Sequence, residues 1–289
     1  MIFAWFIFAI VFEVLMPIGV GIYLLRRYKA GWGILGVGVL TFLASQLIHY
    51  PLLLGISALL KTTAWTPPAA LIPYFNGLVL GLAAGLCEET ARLFGFKLLK
   101  EKAKPYGAGI TAGAGHGGIE SIIIGVMLAV QVVPLILILY NKISNPQITP
   151  TAAMNFFLSY PWYVPLLSAF ERIVALTTQI TLSVMVWRAV TARRYGWFWL
   201  AIGYHALLDG VAVVLSAYGL NTLLIEGILG LFAIINIILL ALFALNFNTP
   251  TDEDDEDDTP EWEFLPTEEV KEAEDVNGVN PPAEPPTEV

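Results

Sequence analysis

Charge is the scarcest property of this sequence: 13% of its 289 residues are Asp, Glu, Lys or Arg, about half the share usual in soluble domains. With 57% hydrophobic residues and a mean hydropathy of +0.71, that shortage excludes an ordinary soluble domain. Cysteine is nearly missing as well; Cys87 alone excludes an internal disulfide and says nothing about compartment. No His-Glu-x-x-His run occurs and no serine sits in a nucleophile turn, so the common zincin and serine-hydrolase signatures are absent. Gly113-x-Gly115-x-x-Gly118 matches a dinucleotide fingerprint literally but follows no strand, and is set aside.

What is present is apolar length. Runs at about 2–25, 33–55, 70–98, 107–138, 162–187, 197–217 and 221–246 each exceed or approach the roughly 20 residues that cross a bilayer. The expected fold is an all-α polytopic membrane bundle of about seven spans, the fourth long enough to tilt or break around its glycines. The amino terminus lacks a basic flank and a small-residue cleavage site, so its run is expected to be a retained span. Alternate loops carry Arg26, Arg27, Lys29, Lys97, Lys100, Lys102, Lys104, Arg188, Arg193 and Arg194, against Lys61 and Lys142 on the other side. Ten against two places the first set in the cytoplasm, with the amino terminus outside and the carboxyl terminus inside.

The net charge of −9 is segregated. Residues 249–289 hold sixteen acids and one base, Lys271, opening with the run DEDDEDD at 252–258; residues 1–248 hold fourteen Lys or Arg and eight Asp or Glu. The chain therefore divides into a bundle, 1–248, and an acidic tail, 249–289, too polar to bury a core and expected to be disordered in the cytoplasm. Trp262, Phe264 and Leu265 are the tail's only anchors. Nothing points to a nucleic-acid partner.

Against this background the stretch AGLCEETAR (84–92) stands out, because ionisable groups in mid-bilayer cost at least about 2.5–3.5 kcal/mol and mark function by default. Three spans carry polar pairs four residues apart, on one helix face: Glu88 with Arg92, His116 with Glu120, His205 with Asp209. Glu88 lies nine residues before Lys97, His116 ten after Tyr106 and His205 nine after Gly196. At about 1.5 Å per residue each is roughly 13–15 Å from the same edge, so the three pairs are expected to form one site opening toward the cytoplasm. Burial disfavours a charged carboxylate while Arg92 beside it favours one, a balance suited to a general base. Imidazole and carboxylate donors suit a divalent metal such as zinc equally well. The bland alternatives are a structural Glu–Arg pair, packed histidines and a buried small thiol at Cys87. Glu171–Arg172 is expected to brace Glu120, and Glu13, Gln46, His49, Gln179 and Glu226 to be interhelical hydrogen-bonding groups.

Read together, AGLCEETAR, GAGHGGIES (113–121), ERI (171–173), QITLSV (179–184) and HALLD (205–209) resemble the YhfC-type membrane peptidases over residues 1 to about 246. That family looks like a branch of the clan that holds PrsW proteases and CAAX prenyl endopeptidases. The resemblance implies an intramembrane peptidase, acting on a membrane-embedded or membrane-anchored peptide in a prokaryotic plasma membrane. Glu88, Glu89 and Arg92 match its first motif, Glu120 the functional place of its second, and His205 with Asp209 its third. Two residues, Thr90 and Ala91, separate the glutamates from Arg92, as in PrsW rather than the CAAX enzymes, and His116 replaces the usual aromatic. The implied roles are Glu88 as base, held by Glu89 and Arg92, with His205 and Asp209 binding metal or stabilising an oxyanion and His116 and Glu120 completing the site. A metal would be held by His116, His205, Asp209 and Glu88. The rival from another class is a transporter or scaffold that uses the same centre for protons or cations; a carrier is expected to show paired broken spans in two repeated halves, and no repeat is visible.

Overall fold

The computed structural model describes residues 2–247; the acidic tail and the boundary expected at 248 lie outside the described residues. Among the described residues eight α-helices run in chain order: α1 Ile2–Arg27, α2 Trp32–Thr63, α3 Ile72–Leu99, α4 Tyr106–Leu139, α5 Pro150–Leu158, α6 Val164–Thr191, α7 Gly196–Ala217 and α8 Thr222–Phe247. All but α5 are long and apolar enough to cross a membrane. The protein is an integral membrane protein with seven spans among the described residues, close to the bounds that the apolar runs give.

The differences have local causes. α2 continues through Pro51 to Thr63 and stops where Ala64 takes a left-handed conformation (φ 50°); membrane helices tolerate proline because neighbours resatisfy the freed backbone group. α4 is not broken by its glycines but passes through them as one helix. α5 is too short to register as a span; Thr149 caps it, its hydroxyl oxygen accepting from the Ala152 N–H at 3.2 Å. α5 exists because Phe157, fully buried, packs edge-on against Phe3 and Phe6.

α6 is the central helix, buried along most of its second half from Leu176 to Trp187. Two further pairs, α3 with α7 and α2 with α4, meet through small residues rather than apolar interdigitation, as expected where lipid is as oily as the side chains. A Cβ on Gly81 of α3 would stand 2.4 Å from the Ala206 carbonyl oxygen of α7, and one on Gly115 of α4 would stand 2.2 Å from the Leu35 carbonyl oxygen of α2. Both pairs of helices are thus seated backbone against backbone, and large apolar side chains such as Leu47, Leu98 and Leu245 are left on the outer surface.

This packing makes a direct prediction. Gly115→Ala should lower stability by about 1–3 kcal/mol, the usual cost of an overpacked contact, read as an earlier unfolding transition of the purified protein. Gly36→Ala, which meets nothing within 4 Å, should leave the transition in place.

Candidate functional site

Four spans bring polar side chains to one level. Measured from the bundle end that carries the basic loops, Glu88 lies eleven residues before the end of α3, His116 ten after the start of α4, Gln179 twelve before the end of α6 and His205 nine after the start of α7. At about 1.5 Å per residue all sit roughly 14–18 Å deep. The close α3–α7 and α2–α4 seams then fix how far apart these groups stand.

Arg92 and Glu89, 1% and 0% exposed, form a buried ion pair, Nη1 donating to Oε1. The spacing argument pairs Arg92 with Glu88 four residues back; the structure gives the closer partnership to Glu89, three back, and leaves Glu88 Oε2 at 3.7 Å. Glu89 faces α7, where its Oε1 lies 2.7 Å from His205 Nδ1. Glu88 points the other way, with Oε2 3.1 Å from His116 Nε2 and 4.0 Å from His205 Nε2. His205 Nε2 is also 3.5 Å from Asp209 Oδ2. Glu120 accepts from Gln179 Nε2 at 2.6 Å and lies 3.5 Å from Arg172 Nη1, whose other amino group pairs with Glu171. The sequence-selected residues are therefore one connected cluster, and Arg172 braces Glu120 as expected.

Three members were not selected from sequence as site residues. Gln46 of α2 donates to Glu88 Oε1 at 3.3 Å, Gln179 joins Arg92, Glu88 and Glu120, and Thr41 lies 3.0 Å from His116 Nδ1. Uncharged amides and hydroxyls give no sequence signal beyond ordinary interhelical bonding; only the depth of Gln179 could have singled it out. Glu13 belongs elsewhere, accepting from the Ser168 hydroxyl at 2.6 Å. Among the described residues His49 Nε2 and Glu226 Oε2 have no hydrogen-bond partner.

The hydrogen bonds fix both imidazole tautomers. The single hydroxyl proton of Thr41 goes to the Gly38 carbonyl oxygen at 2.7 Å, so toward His116 Nδ1 the hydroxyl can only accept. His116 Nδ1 therefore carries a proton. His205 Nδ1 faces a Glu89 carboxylate that accepts from Arg92, so it carries one too. The two Nε2 atoms are left turned toward carboxylate oxygens of Glu88 and Asp209. Such an arrangement is held by positive charge, either a second ring proton or a divalent cation. The donor set fits the cation, because metal-binding imidazoles characteristically commit their other N–H to a carboxylate or similar acceptor. Bonds of about 2.0–2.1 Å to tetrahedral zinc put neighbouring donors about 3.4 Å apart, near the His116–Glu88 and His205–Asp209 separations. Yet among the described residues no group of three or more His, Cys, Asp or Glu is arranged as a formed metal site. The donors match in kind and the Glu88–His205 gap of 4.0 Å is too wide as it stands.

A cavity of about 130 Å³ adjoins the cluster, lined by Glu120, Gln179, His205 and Asp209 and continuing past Glu171, Ala212 and Leu229. It reaches the exterior of the bundle at Asp209 and Glu171, whose side chains are 45% and 44% exposed. Ala212 lies sixteen residues along α7, about 24 Å from the basic end. The cavity thus runs away from the basic loops, not toward them as the sequence suggested.

Residues 12–242 match the family described as YhfC intramembrane metalloprotease. Over 211 residues the chain is 29% identical to the uncharacterized membrane protein YhfC of Bacillus subtilis (strain 168), covering 69% of this chain and 80% of that protein. No solved structure matches the chain. These matches support the YhfC part of the resemblance and leave the wider relation to PrsW and CAAX enzymes an expectation.

The cavity can be tested without a substrate. In a Cys87→Ser chain, a cysteine replacing Ala212 should react with a membrane-impermeant thiol reagent, whereas one replacing Leu207, 54% exposed on the outer surface, should not. Two equally inert cysteines would show a closed, dry cavity.

Proposed function

Because the chain belongs to the YhfC intramembrane metalloprotease family, we propose that it hydrolyses peptide bonds of a membrane-embedded or membrane-anchored substrate with a water activated at Glu88. The observation that carries this reading is the convergence of Glu88, His116 and His205 at one depth, with Asp209 one turn beyond and each imidazole's other nitrogen already committed. Hydrolysis inside a bilayer needs a polar cavity connected to that cluster, and the space lined by Glu120, His205 and Asp209 supplies one.

In this scheme water in the cavity gives a proton to Glu88 as its oxygen attacks the scissile carbonyl carbon. The C–N bond then breaks, and the proton held by Glu88 goes to the leaving amine. Proton transfer by a positioned group of this kind is worth about 10²–10⁴ in rate. Gln46 and Gln179 each donate to one Glu88 oxygen, so the carboxylate is oriented by neutral donors while Arg92 is occupied mainly by Glu89. Glu89 in turn holds His205 in one tautomer and orientation. His116, His205 and Asp209 are the residues that would hold a divalent metal such as zinc, which lowers the pKa of water and polarises a carbonyl.

Transport is the competing use of such a centre. Carriers commonly bind at helices interrupted at mid-membrane, whereas α3, α4, α6 and α7 each pass unbroken through the polar level. The continuous spans favour the hydrolytic reading.

The test uses proteoliposomes presenting membrane-anchored peptide reporters, with metal content measured on the same preparations. Glu88→Gln should lose at least about 10² in cleavage rate yet keep its metal; metal lost together with activity would make Glu88 a ligand instead of the base. Asp209→Asn should lose metal if Asp209 is a ligand, and His205→Ala should be inactive. Unaltered cleavage by Glu88→Gln and Glu89→Gln, singly and combined, would remove the pair from catalysis and restore the transport reading.

We further propose that the basic end of the bundle faces the cytoplasm, on the ten-to-two distribution of loop Lys and Arg. A topology reporter fused after Lys104 should report cytoplasm and one after Asn141 the opposite side; reversed readings would invert the bundle.

A further inference from the structure

We propose that Gln179 is a positioning residue of this site, orienting Glu88 and Glu120 through a single carboxamide whose direction Arg92 dictates. The proposal rests on the reading of Glu88 as the working carboxylate. Gln179 is 5% exposed on the central helix α6. Arg92 is a donor only, and its Nη2 faces one terminal atom of the Gln179 side chain, which must therefore be the oxygen. The amide cannot flip without setting its own N–H against the guanidinium. Its two N–H groups are then aimed at Glu88 Oε2, 3.3 Å away, and Glu120 Oε2, 2.6 Å away.

One side chain thus converts a fixed cation into two neutral donors placed on two carboxylates of different helices. Arg92 Nη2 itself stands 3.7 Å from Glu88 Oε2, an ion-pair distance but beyond hydrogen-bond reach. The amide supplies the directional contact that the guanidinium does not. Room for it is made by Gly117 of α4, where a Cβ would stand 2.7 Å from the Gln179 Cβ. Glu120 gains a definite place as well, since its 2.6 Å contact is with Gln179 and its contact with Arg172 is the longer one.

Two substitutions separate positioning from mere satisfaction of Arg92. Gln179→Glu keeps the size of the side chain and an oxygen for Arg92, but turns its other end from donor to acceptor against Glu88 and Glu120. Gln179→Leu removes all three contacts. A glutamine that served only as an acceptor for Arg92 would be replaced by glutamate without consequence.

The sequence offers a substrate-free readout, because it contains three histidines, His49, His116 and His205. In ¹⁵N-histidine NMR spectra of the full chain in nanodiscs, both variants should shift the ring-nitrogen signals of His116, whose Nε2 faces the same Glu88 oxygen that Gln179 holds. His49 should stay in place as the internal reference. Because Gln179 touches Glu88 and Glu120 and none of the residues that would hold a metal, Gln179→Leu should keep the wild-type zinc affinity by chelator competition while losing cleavage of the membrane-anchored reporter. His116 signals unchanged in Gln179→Glu would overturn the proposal, leaving Gln179 as an acceptor for Arg92 and nothing more. A wild-type chain that takes up no zinc would sink the metal part of the functional reading, while the His116 signals would still decide the role of Gln179.

Discussion

A guanidinium held in the middle of a bilayer bundle is the constraint around which everything else is arranged. Arg92 is 1% exposed, and removing such a charge from water costs several kcal/mol unless it is paired and hydrogen-bonded. Glu89 neutralises it and Gln179 takes its remaining amino group. Those two partners then transmit its position: Glu89 fixes His205 on α7, and Gln179 reaches Glu88 on α3 and Glu120 on α4. Moving the guanidinium would release four helices from one another at the level where the polar groups meet.

Much of this was legible in the chain itself. Apolar run length finds seven spans, because a membrane leaves few other solutions for the backbone. The depth alignment of Glu88, His116 and His205 needs only the helical rise, and it held because α3, α4 and α7 all run unbroken through the site. What was missed is equally physical. Spacing by four residues linked Arg92 to Glu88, a pair the structure keeps at 3.7 Å, but gave no sign that the rotation that packs Gly81 on Ala206 turns Glu89 closer to the guanidinium and toward His205. Thr41, Gln46 and Gln179 carry no charge, so apart from the depth of Gln179 nothing in sequence separates them from residues that merely tie helices together. α5 lacks the length of a span, and the direction of the cavity depends on side-chain packing that spacing along one helix does not report.

Those seams also explain the precision of the cluster. A 2.7 Å contact between Glu89 and His205 requires α3 and α7 to approach within reach of two short side chains. Gly77, Gly81 and Gly85 lie along that contact, each with an α7 backbone oxygen where a Cβ would be. Gly113 and Gly117 bring α4 close to α6 in a different way, a Cβ there meeting the Ile180 Cα at 2.6 Å and the Gln179 Cβ at 2.7 Å. Sequence composition, packing distance and site chemistry are one chain of causes here.

Backbone-on-backbone seating has a mechanical consequence. Where Gly38 meets Ala112 and Gly115 meets Leu35 there is no layer of pliable side chains to compress, so the seam leaves α2 and α4 little room to shift at the level of Thr41 and His116. The same holds for α3 with α7, carrying Glu89 and His205. α8 is attached differently, by side chains: the Tyr204 hydroxyl donates to Asn236, and Asn236 donates to the Thr178 hydroxyl oxygen, at 2.9 and 2.7 Å. Leu229 of that helix lines the cavity. The wall that α8 gives the cavity is therefore tied to its neighbours by side chains, where the α3–α7 and α2–α4 seams are seated backbone on backbone.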